Sequence, residues 1–150
     1  MPIRVRGIHL ISALLLTGAL VTPAAADDWD TCAKDSGDAA IAACTRAINS
    51  KRYTGRVLAL AFNNRGVEWK SKGDLDRAIA DYGAAVRLDA DYAAAFTNRG
   101  LVYERKQDYP HARADFKAAL AAAPQKYPNT RGAQHIARER LAALAKSAPE

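Results

Sequence analysis

The sequence repeats itself at a spacing of 34 residues. When residues 61–90 are laid over residues 95–124, 12 of the 30 positions carry the same amino acid. The recurring positions are Ala61, Phe62, Asn64, Arg65, Gly66, Lys72, Asp74, Ala78, Ala80, Asp81, Ala84 and Ala85. A fixed period of this length is typical of a chain built from stacked copies of one small structural unit, in which each copy buries its apolar face against the next.

Each unit has the pattern of two helices joined by a tight turn. In the first unit Phe62, Gly66 and Trp69 recur at three- and four-residue steps, which is the spacing of one helix face. Residues 72–74, Lys-Gly-Asp, then interrupt the pattern with a helix stop and a helix cap. A second apolar stripe follows at helical spacing. No stretch alternates with the period of two that is typical of a strand, so the sequence predicts an all-α chain.

The pattern resembles the tetratricopeptide repeat, whose signature is W-x2-L-G-x2-Y followed by A-x3-F, A and P. The matching residues are Phe62, Gly66, Trp69, Ala78, Tyr82 and Ala85 in the first full unit, and Phe96, Gly100, Tyr103, Ala112, Phe116, Ala119 and Pro124 in the second. The resemblance implies antiparallel helix-hairpin repeats stacked as a short right-handed superhelix, a TPR-like solenoid with a C-terminal capping helix. The expected bounds are 27–50 for a truncated first repeat, 57–90 for the second, 91–124 for the third and 129–146 for the capping helix.

Two glycines recur inside predicted helices. Glycine there costs about 1 kcal/mol relative to alanine, so Gly66 and Gly100 predict a close approach of two helices at these points. We expect Ala78 and Ala112 to be the small residues that face them on the second helix of each unit.

Both units depart from the family signature at its leucine, which is replaced by arginine. A charge beside a packed face needs a partner, and an aspartate recurs in step with each arginine. We therefore predict structural ion pairs between arginine and aspartate, within or between the units. The residues concerned are Arg65, Asp81, Arg99 and Asp115.

The N-terminus has the composition of a signal peptide. Arg4 and Arg6 precede an apolar run at residues 8–21, and small residues at 24–26 are followed at once by aspartate. This order predicts a signal peptide at 1–26, cleaved after residue 26, and a mature TPR-like domain at 27–150. The alternative is an uncleaved membrane anchor, but the run is shorter than the roughly 20 residues that a transmembrane helix needs.

These features predict secretion across the inner membrane into the periplasm. No second apolar run occurs in the sequence, so we expect no membrane span after signal cleavage. Removing Arg4 and Arg6 with the leader leaves 20 basic and 16 acidic residues, a net charge of +4. Much of this excess lies in residues 125–150, where a basic segment would favour an acidic partner or an anionic surface.

The two cysteines lie on opposite sides of a predicted turn at residues 36–38. Cys32 and Cys44 are each six residues from Asp38, which in an antiparallel helix pair places both about 9 Å from the turn. Cys44 also holds the position that Tyr82 holds in the next unit. An exported chain with two such cysteines is expected to form a structural disulfide. A redox-active pair and a metal site are the alternatives, but the Cys-x2-Cys spacing and clustered histidines of such sites are missing.

The sequence contains no recognisable catalytic motif. The mature region has two histidines, His111 and His135, without the His-Glu-x2-His spacing of a zinc enzyme. It has no Gly-x-Ser-x-Gly nucleophile motif and no glycine-rich phosphate loop. Its carboxylates are spread among lysines and arginines, as on a solvated helix surface. We expect no catalytic residue, no cofactor, no metal and no enzymatic activity.

The resemblance implies instead that the chain binds a protein or peptide in the concave groove of its repeats. In the family this groove is formed by residues around the helix glycine. The corresponding residues here are Asn63, Asn64, Val67, Lys70, Ser71, Thr97, Asn98, Leu101, Glu104 and Arg105. Asn64 and Asn98 are kept in both units, and an amide side chain suits a peptide backbone. The alternative is that these asparagines only bridge neighbouring helices.

Two other functions remain open at this point. The chain could be a structural subunit or self-associating module of a cell-envelope assembly, since about three repeats are usually needed for stability and a homodimer would enlarge the core. It could also bind an anionic polymer through its basic C-terminal helix, which would require affinity that falls steeply with salt. Export and the modest net charge argue against nucleic acid as a partner.

Overall fold

The computed structural model describes residues 24–123 and 127–147, and within these ranges the chain is all-α, as predicted, with no strand. Its helices are α1 Ala24–Lys34, α2 Gly37–Asn49, α3 Gly55–Ser71, α4 Leu75–Leu88, α5 Ala93–Arg105, α6 Tyr109–Ala121 and α7 Thr130–Ser147. Residues 1–23 of the predicted signal peptide and the predicted repeat end at Pro124 lie outside the described residues. Helix α1 begins three residues before the predicted cleavage point.

The helices pack in the order in which they occur along the chain. Helices α1 and α2, α3 and α4, and α5 and α6 form successive pairs, and the first helix of each later pair also packs against the pair before it. The final helix, α7, contacts both helices of the third pair. This arrangement of helix hairpins is that of a TPR-like solenoid. None of the helices described is long and apolar enough to cross a lipid bilayer.

Equivalent turns connect the two helices of the full units. Asp74 caps α4 by accepting a hydrogen bond from the backbone N–H of Arg77, and Asp108 caps α6 in the same way. The turn before Asp74 needs a left-handed residue, and Gly73 supplies it with a φ of 81°. In the next unit Gln107 takes the same conformation, with a φ of 62°, although it has a side chain.

The two helices of each full unit approach most closely where a glycine meets an aromatic ring. A Cβ atom at Gly66 would lie 2.8 Å from Cε1 of Tyr82, and one at Gly100 would lie 2.7 Å from Cε1 of Phe116. Both rings are fully buried, so they cannot move aside. The close approach was expected, but the atoms nearest the glycine belong to the ring and not to the facing alanine.

An arginine–aspartate pair lies beside each glycine. Arg65 donates from Nε and Nη2 to the two carboxylate oxygens of Asp81, both at 2.8 Å. Arg99 holds Asp115 in the same two-point geometry, at 2.8 and 2.7 Å. Each pair joins the first helix of its unit to the second. The Asp115 hydrogen bond raises the pKa of Arg99, because it favours the charged guanidinium.

The predicted disulfide between Cys32 and Cys44 is present. It joins α1 to α2, with the two Cα atoms 4.7 Å apart, and both cysteines are buried. The bridge lies in an apolar cluster with Ala43 and Ala61, flanked by Trp29. In this pair of helices a covalent bond therefore stands where the later units have an aromatic side chain. Closing a loop of this size stabilises a fold by about 2–4 kcal/mol.

Helix α7 closes the last unit. Ala133, Ala137 and Leu144 are buried against it, as expected for its apolar face. Gln134 donates to carbonyl oxygens at the end of α6, including that of Ala122 at 2.9 Å, and so satisfies backbone groups that a helix end leaves unpaired. Ile136, by contrast, is 41% exposed. It lies at the edge of the buried stripe, on the side towards α5.

The hydroxyl of Tyr82 is buried and has no hydrogen-bond partner among the described residues. Burial also raises the pKa of Tyr82 well above its usual value. Because an unsatisfied buried hydroxyl is unfavourable, we expect Tyr82→Phe to raise the free energy of unfolding by about 1 kcal/mol in urea denaturation. The reciprocal change Phe116→Tyr, at the equivalent position, should lower it. A loss of stability in Tyr82→Phe would mean that the hydroxyl has a bonding partner.

The buried ion pairs give a second prediction. Only 6% of the Asp115 side chain is exposed, so Arg99→Ala should cost about 3 kcal/mol of unfolding free energy by leaving a buried carboxylate unpaired. The double variant Arg99→Met/Asp115→Leu should recover most of this loss. In the exposed pair of Lys34 and Asp30, Lys34→Ala should cost less than about 0.5 kcal/mol. Equal losses for the two alanine variants would contradict the assignment of the Arg99 pair as structural.

Candidate partner-binding groove

The first helices of the three pairs and the closing helix lie side by side. Helix α1 contacts α3, α3 contacts α5, and α5 contacts α7. We call the surface of these four helices the groove face. It contains all ten residues for which the family resemblance implies partner binding.

Side-chain hydrogen bonds cross each junction of the groove face. Asn64 donates from Nδ2 to the carbonyl oxygen of Cys32 at 3.3 Å, which joins α3 to α1. Asn98 donates from Nδ2 to Oδ1 of Asn63 at 3.1 Å, which joins α5 to α3. The Thr97 hydroxyl donates to a carbonyl oxygen of α7 at 3.1 Å. These polar side chains therefore connect neighbouring helices.

The two asparagines that recur in both units thus have partners within the fold. Asn63 is 7% exposed and Thr97 is 2% exposed, so neither offers its polar atoms to an extended ligand. Asn64 and Asn98 are half-buried, and each uses at least one amide hydrogen in a bridge. In this structure both asparagines bridge neighbouring helices, which is the alternative to partner binding named in the sequence analysis.

Charged residues follow two helical turns further along the same helices. Seven residues are close to two turns of an α-helix, a rise of about 10.5 Å, so a residue seven positions on points the same way. Thr97 of α5 bonds to the carbonyl of Ala133 on α7. Seven residues further along both helices, Glu104 and Arg140 form an ion pair across the same junction. Arg140 donates to both oxygens of Glu104, with Nε at 2.9 Å from Oε2.

The same relation places two cations near each other. Lys70 and Arg105 lie seven residues after Asn63 and Asn98, whose side chains touch. Lys70 is half-buried and Arg105 is exposed. Both lie in the last turn of a helix, where a positive charge also interacts favourably with the helix dipole.

Two cavities open between α5 and α7. The first, of about 360 Å³, lies towards the C-terminal end of α5 and is lined by Leu101, Glu104, Arg105, Tyr109 and Arg140. The second, of about 310 Å³, lies towards the N-terminal end and is lined by Ala94, Thr97, Asn98, Asn129, Gly132, Ala133 and Ile136. The first combines charged groups with an exposed tyrosine, and the second is mainly apolar.

The predicted groove residues divide between the two central helices. All five on α5 line one of these cavities. The five on α3 line neither. Val67 packs against the buried cluster of Ala78, Tyr82 and Val102, and the Ser71 hydroxyl donates to the carbonyl oxygen of Val67 at 3.0 Å. The cavities therefore lie on the last full unit and its cap.

The contribution of α7 was missed by the sequence analysis. One wall of the cavities is formed by Gly132, Ile136 and Arg140 of α7 and by Asn129 just before it, whereas the sequence predicted a cap or a basic surface for an anionic partner. The 34-residue period does not extend into α7, so the repeat alignment could not transfer groove positions to it. The basic character of residues 125–150 was an available signal, since it favours an acidic partner or an anionic surface.

A buried aromatic cluster fixes the segment that leads into α7. The ring of Tyr127 stacks on Tyr92 with centroids 4.3 Å apart, and the guanidinium of Arg56 lies 3.9 Å above the Tyr127 ring. The Tyr127 hydroxyl donates to Asp89 at 2.6 Å. Burial raises the pKa of Tyr92 to about 12, so both phenols are neutral at ordinary pH. The cluster holds the start of α7, and with it Asn129, beside α5.

No group of three or more histidine, cysteine, aspartate or glutamate residues that could hold a metal ion occurs in the described parts of the chain. His111 is exposed, stacks on Tyr103 and lies 2.7 Å from the carboxylate of its helix cap, Asp108. This contact extends the cap of α6. It lowers the pKa of Asp108, because the hydrogen bond favours the carboxylate.

The bridging bonds lead to a prediction about stability. Asn98→Ala removes a donor and leaves Oδ1 of Asn63 buried without it, so we expect a loss of about 1–3 kcal/mol in unfolding free energy. Asn49→Ala, at an exposed position on α2, should change it by less than about 0.5 kcal/mol. If Asn98→Ala and the wild type have the same urea midpoint of unfolding, the bridge does not hold α5 to α3.

Comparison with protein families agrees with this architecture. The family model described as "TPR repeat" matches residues 69–107, and the model described as "Tetratricopeptide repeat" matches residues 93–126. No curated protein sequence gives a significant match. The matched residues cover α4 to α6, which include the contact of Gly100 with Phe116 and the pair of Arg99 with Asp115. Residues 69–126 are therefore similar to tetratricopeptide repeats, which agrees with the helix hairpins of this part of the chain.

Proposed function

We propose that this chain is a non-enzymatic scaffold or adaptor that binds a protein or peptide in the groove between α5 and α7. The observation that carries the proposal is the position of the α5 residues. Thr97, Asn98, Leu101, Glu104 and Arg105, which the family resemblance selects, all line the two cavities between α5 and α7. Repeat proteins of this kind suggest a protein partner, since their stacked helices present an extended binding surface.

The chemistry of the groove suits an extended peptide. Ile136 and Leu101 offer apolar contact, and Ile136 is exposed without a partner large enough to cover it. The half-buried amide of Asn98 lies beside them and keeps acceptor capacity for a peptide N–H. Apolar contacts that give affinity, with a few polar groups that set orientation, are features of peptide-binding grooves.

We further propose that the chain acts in the periplasm after removal of residues 1–26. The leader composition supports export. The disulfide between Cys32 and Cys44 supports the same conclusion, because disulfides form and persist in oxidising compartments. The bridge would then form after export and stabilise the truncated first unit.

A peptide-display selection against the purified chain, with its disulfide formed, tests the binding function. Peptides that are selected should lose at least about tenfold in affinity for Ile136→Arg, because a charge replaces the apolar contact in the groove. Leu88→Arg is the matched control, since Leu88 is 37% exposed and Ile136 is 41% exposed. Leu88 lies at the end of α4, away from both cavities, so this variant should bind as the wild type does.

The same three purified proteins also test the competing proposal, in which the chain is a self-associating module of a cell-envelope assembly. Light scattering over a range of concentrations should give the mass of a monomer for the wild type and for both variants. A mass that rises with concentration and returns to that of a monomer in Ile136→Arg would show that the groove face binds a second copy. Equal peptide affinity for both arginine variants would exclude the groove between α5 and α7 as the site.

A further inference from the structure

We infer that the groove recognises an acidic side chain of an extended peptide, together with an aliphatic residue two positions away. This inference rests on the proposed function, because it names the ligand of the same groove. The carboxylate would bind in the cavity at the C-terminal end of α5, and the aliphatic residue would contact Ile136 in the neighbouring cavity.

The first step concerns charge. In the cavity at the C-terminal end of α5, the carboxylate of Glu104 is neutralised by Arg140, and its side chain is only 15% exposed. Arg105 lines the same cavity, is exposed, and forms no salt bridge with any residue that the structure describes. The cavity therefore carries a net positive charge, and an arginine can hold a carboxylate by two parallel hydrogen bonds.

The second step concerns the neighbouring helix. Lys70 lies on α3 at the level of Arg105, by the seven-residue relation to the touching pair of Asn63 and Asn98. Within residues 24–123 and 127–147 Lys70 has no carboxylate partner either. The hydroxyl of Tyr109, whose ring is 38% exposed at the mouth of the cavity, adds a further donor. Arg105 and the phenol of Tyr109 line this end of the groove, and Lys70 adds a positive charge on the neighbouring helix, which together match the charge and the acceptors of a carboxylate.

The third step concerns spacing. Ile136 and Arg140 are four residues apart on α7, and therefore about 6 Å apart along its axis. In an extended peptide, side chains two positions apart point the same way and are separated by about 6.6 Å. An aliphatic side chain beside Ile136 thus places the side chain two residues away at the level of Arg140 and Arg105. A pair of residues in the ligand can occupy both cavities at once.

The carboxylate is assigned to a side chain and not to a free C-terminus. Arg105 and Tyr109 are both exposed, so the cavity that they line is open to solvent and an extended chain can continue past it. Among the residues that the structure describes, no dense cluster of lysines and arginines surrounds a single point on the groove face, as capture of a terminal carboxylate would favour. An internal acidic residue needs fewer donors, and the adjacent aliphatic contact supplies the remainder of the affinity.

Synthetic peptides test the inference directly. The probe is a fluorescein-labelled, C-amidated nonapeptide of serine and glycine that carries isoleucine and, two positions away, glutamate, made in both sequence orders. Fluorescence anisotropy with the purified chain should show binding of one order. Replacing glutamate by glutamine should weaken it about tenfold, and raised salt should remove that difference, because the charge contribution is screened.

Variants of the chain connect the effect to the cavity. Arg105→Glu should reverse the preference, so that a lysine peptide binds more tightly than the glutamate peptide, and Arg105→Gln should abolish the preference. Arg138→Glu is the matched control. Arg138 is two residues from both Ile136 and Arg140, hence on the opposite side of α7, and it should leave the preference unchanged. Circular dichroism and unfolding midpoints establish that each variant is folded.

The outcomes separate this inference from the proposed function. If the glutamate and glutamine peptides bind equally and Ile136→Arg abolishes both, the groove binds peptides and the acidic specificity is wrong. If a glutamine peptide with a free C-terminal carboxylate binds as tightly as the glutamate peptide, the assignment to a side chain is wrong. If no peptide, including those from the display selection, binds at millimolar concentration, both proposals are overturned.

Discussion

In each full hairpin the backbone of one helix lies directly against an aromatic ring of the other, Gly66 on Tyr82 and Gly100 on Phe116. A Cβ atom would be 2.8 and 2.7 Å from these rings, so no residue with a side chain fits without moving a buried ring. This contact sets how closely the helices approach, and the arginine–aspartate pairs beside it have two-point geometry only at that separation. Because the same distance recurs, the units stack in register.

The first unit reaches the same arrangement by other means. Its disulfide takes the place of the ring, and Arg65 extends from its own unit to the Thr45 hydroxyl of the first one at 3.0 Å. A short leading helix with little apolar surface is thereby joined covalently and by hydrogen bonds to the stack. A disulfide therefore holds this end of the array together, as disulfides do in many small domains with a limited core.

The polar residues of the groove face differ between the middle of the helices and their C-terminal ends. Near the middle of the helices Asn64, Asn98 and Thr97 bond across the junctions, since buried polar atoms between packed helices need partners. Two turns later the helices carry longer, charged side chains, of which Glu104 and Arg140 pair and Arg105 does not. At the C-terminal end of α5 the internal bonds of the fold therefore leave the cation Arg105 without a salt bridge among the described residues, and the proposed ligand would bind there.

By itself the sequence determined the helical repeat, the close glycine contacts and the disulfide, because these follow from period and residue type along the chain. It selected five residues on α5 that line cavities, yet it could not show that Asn98 bridges to Asn63 or that α7 forms the opposite wall. Those facts were decided by tertiary structure. A hydrogen bond between helices and a cavity between them depend on the distance and register of segments that are remote in sequence, and the 34-residue period ends before α7 begins.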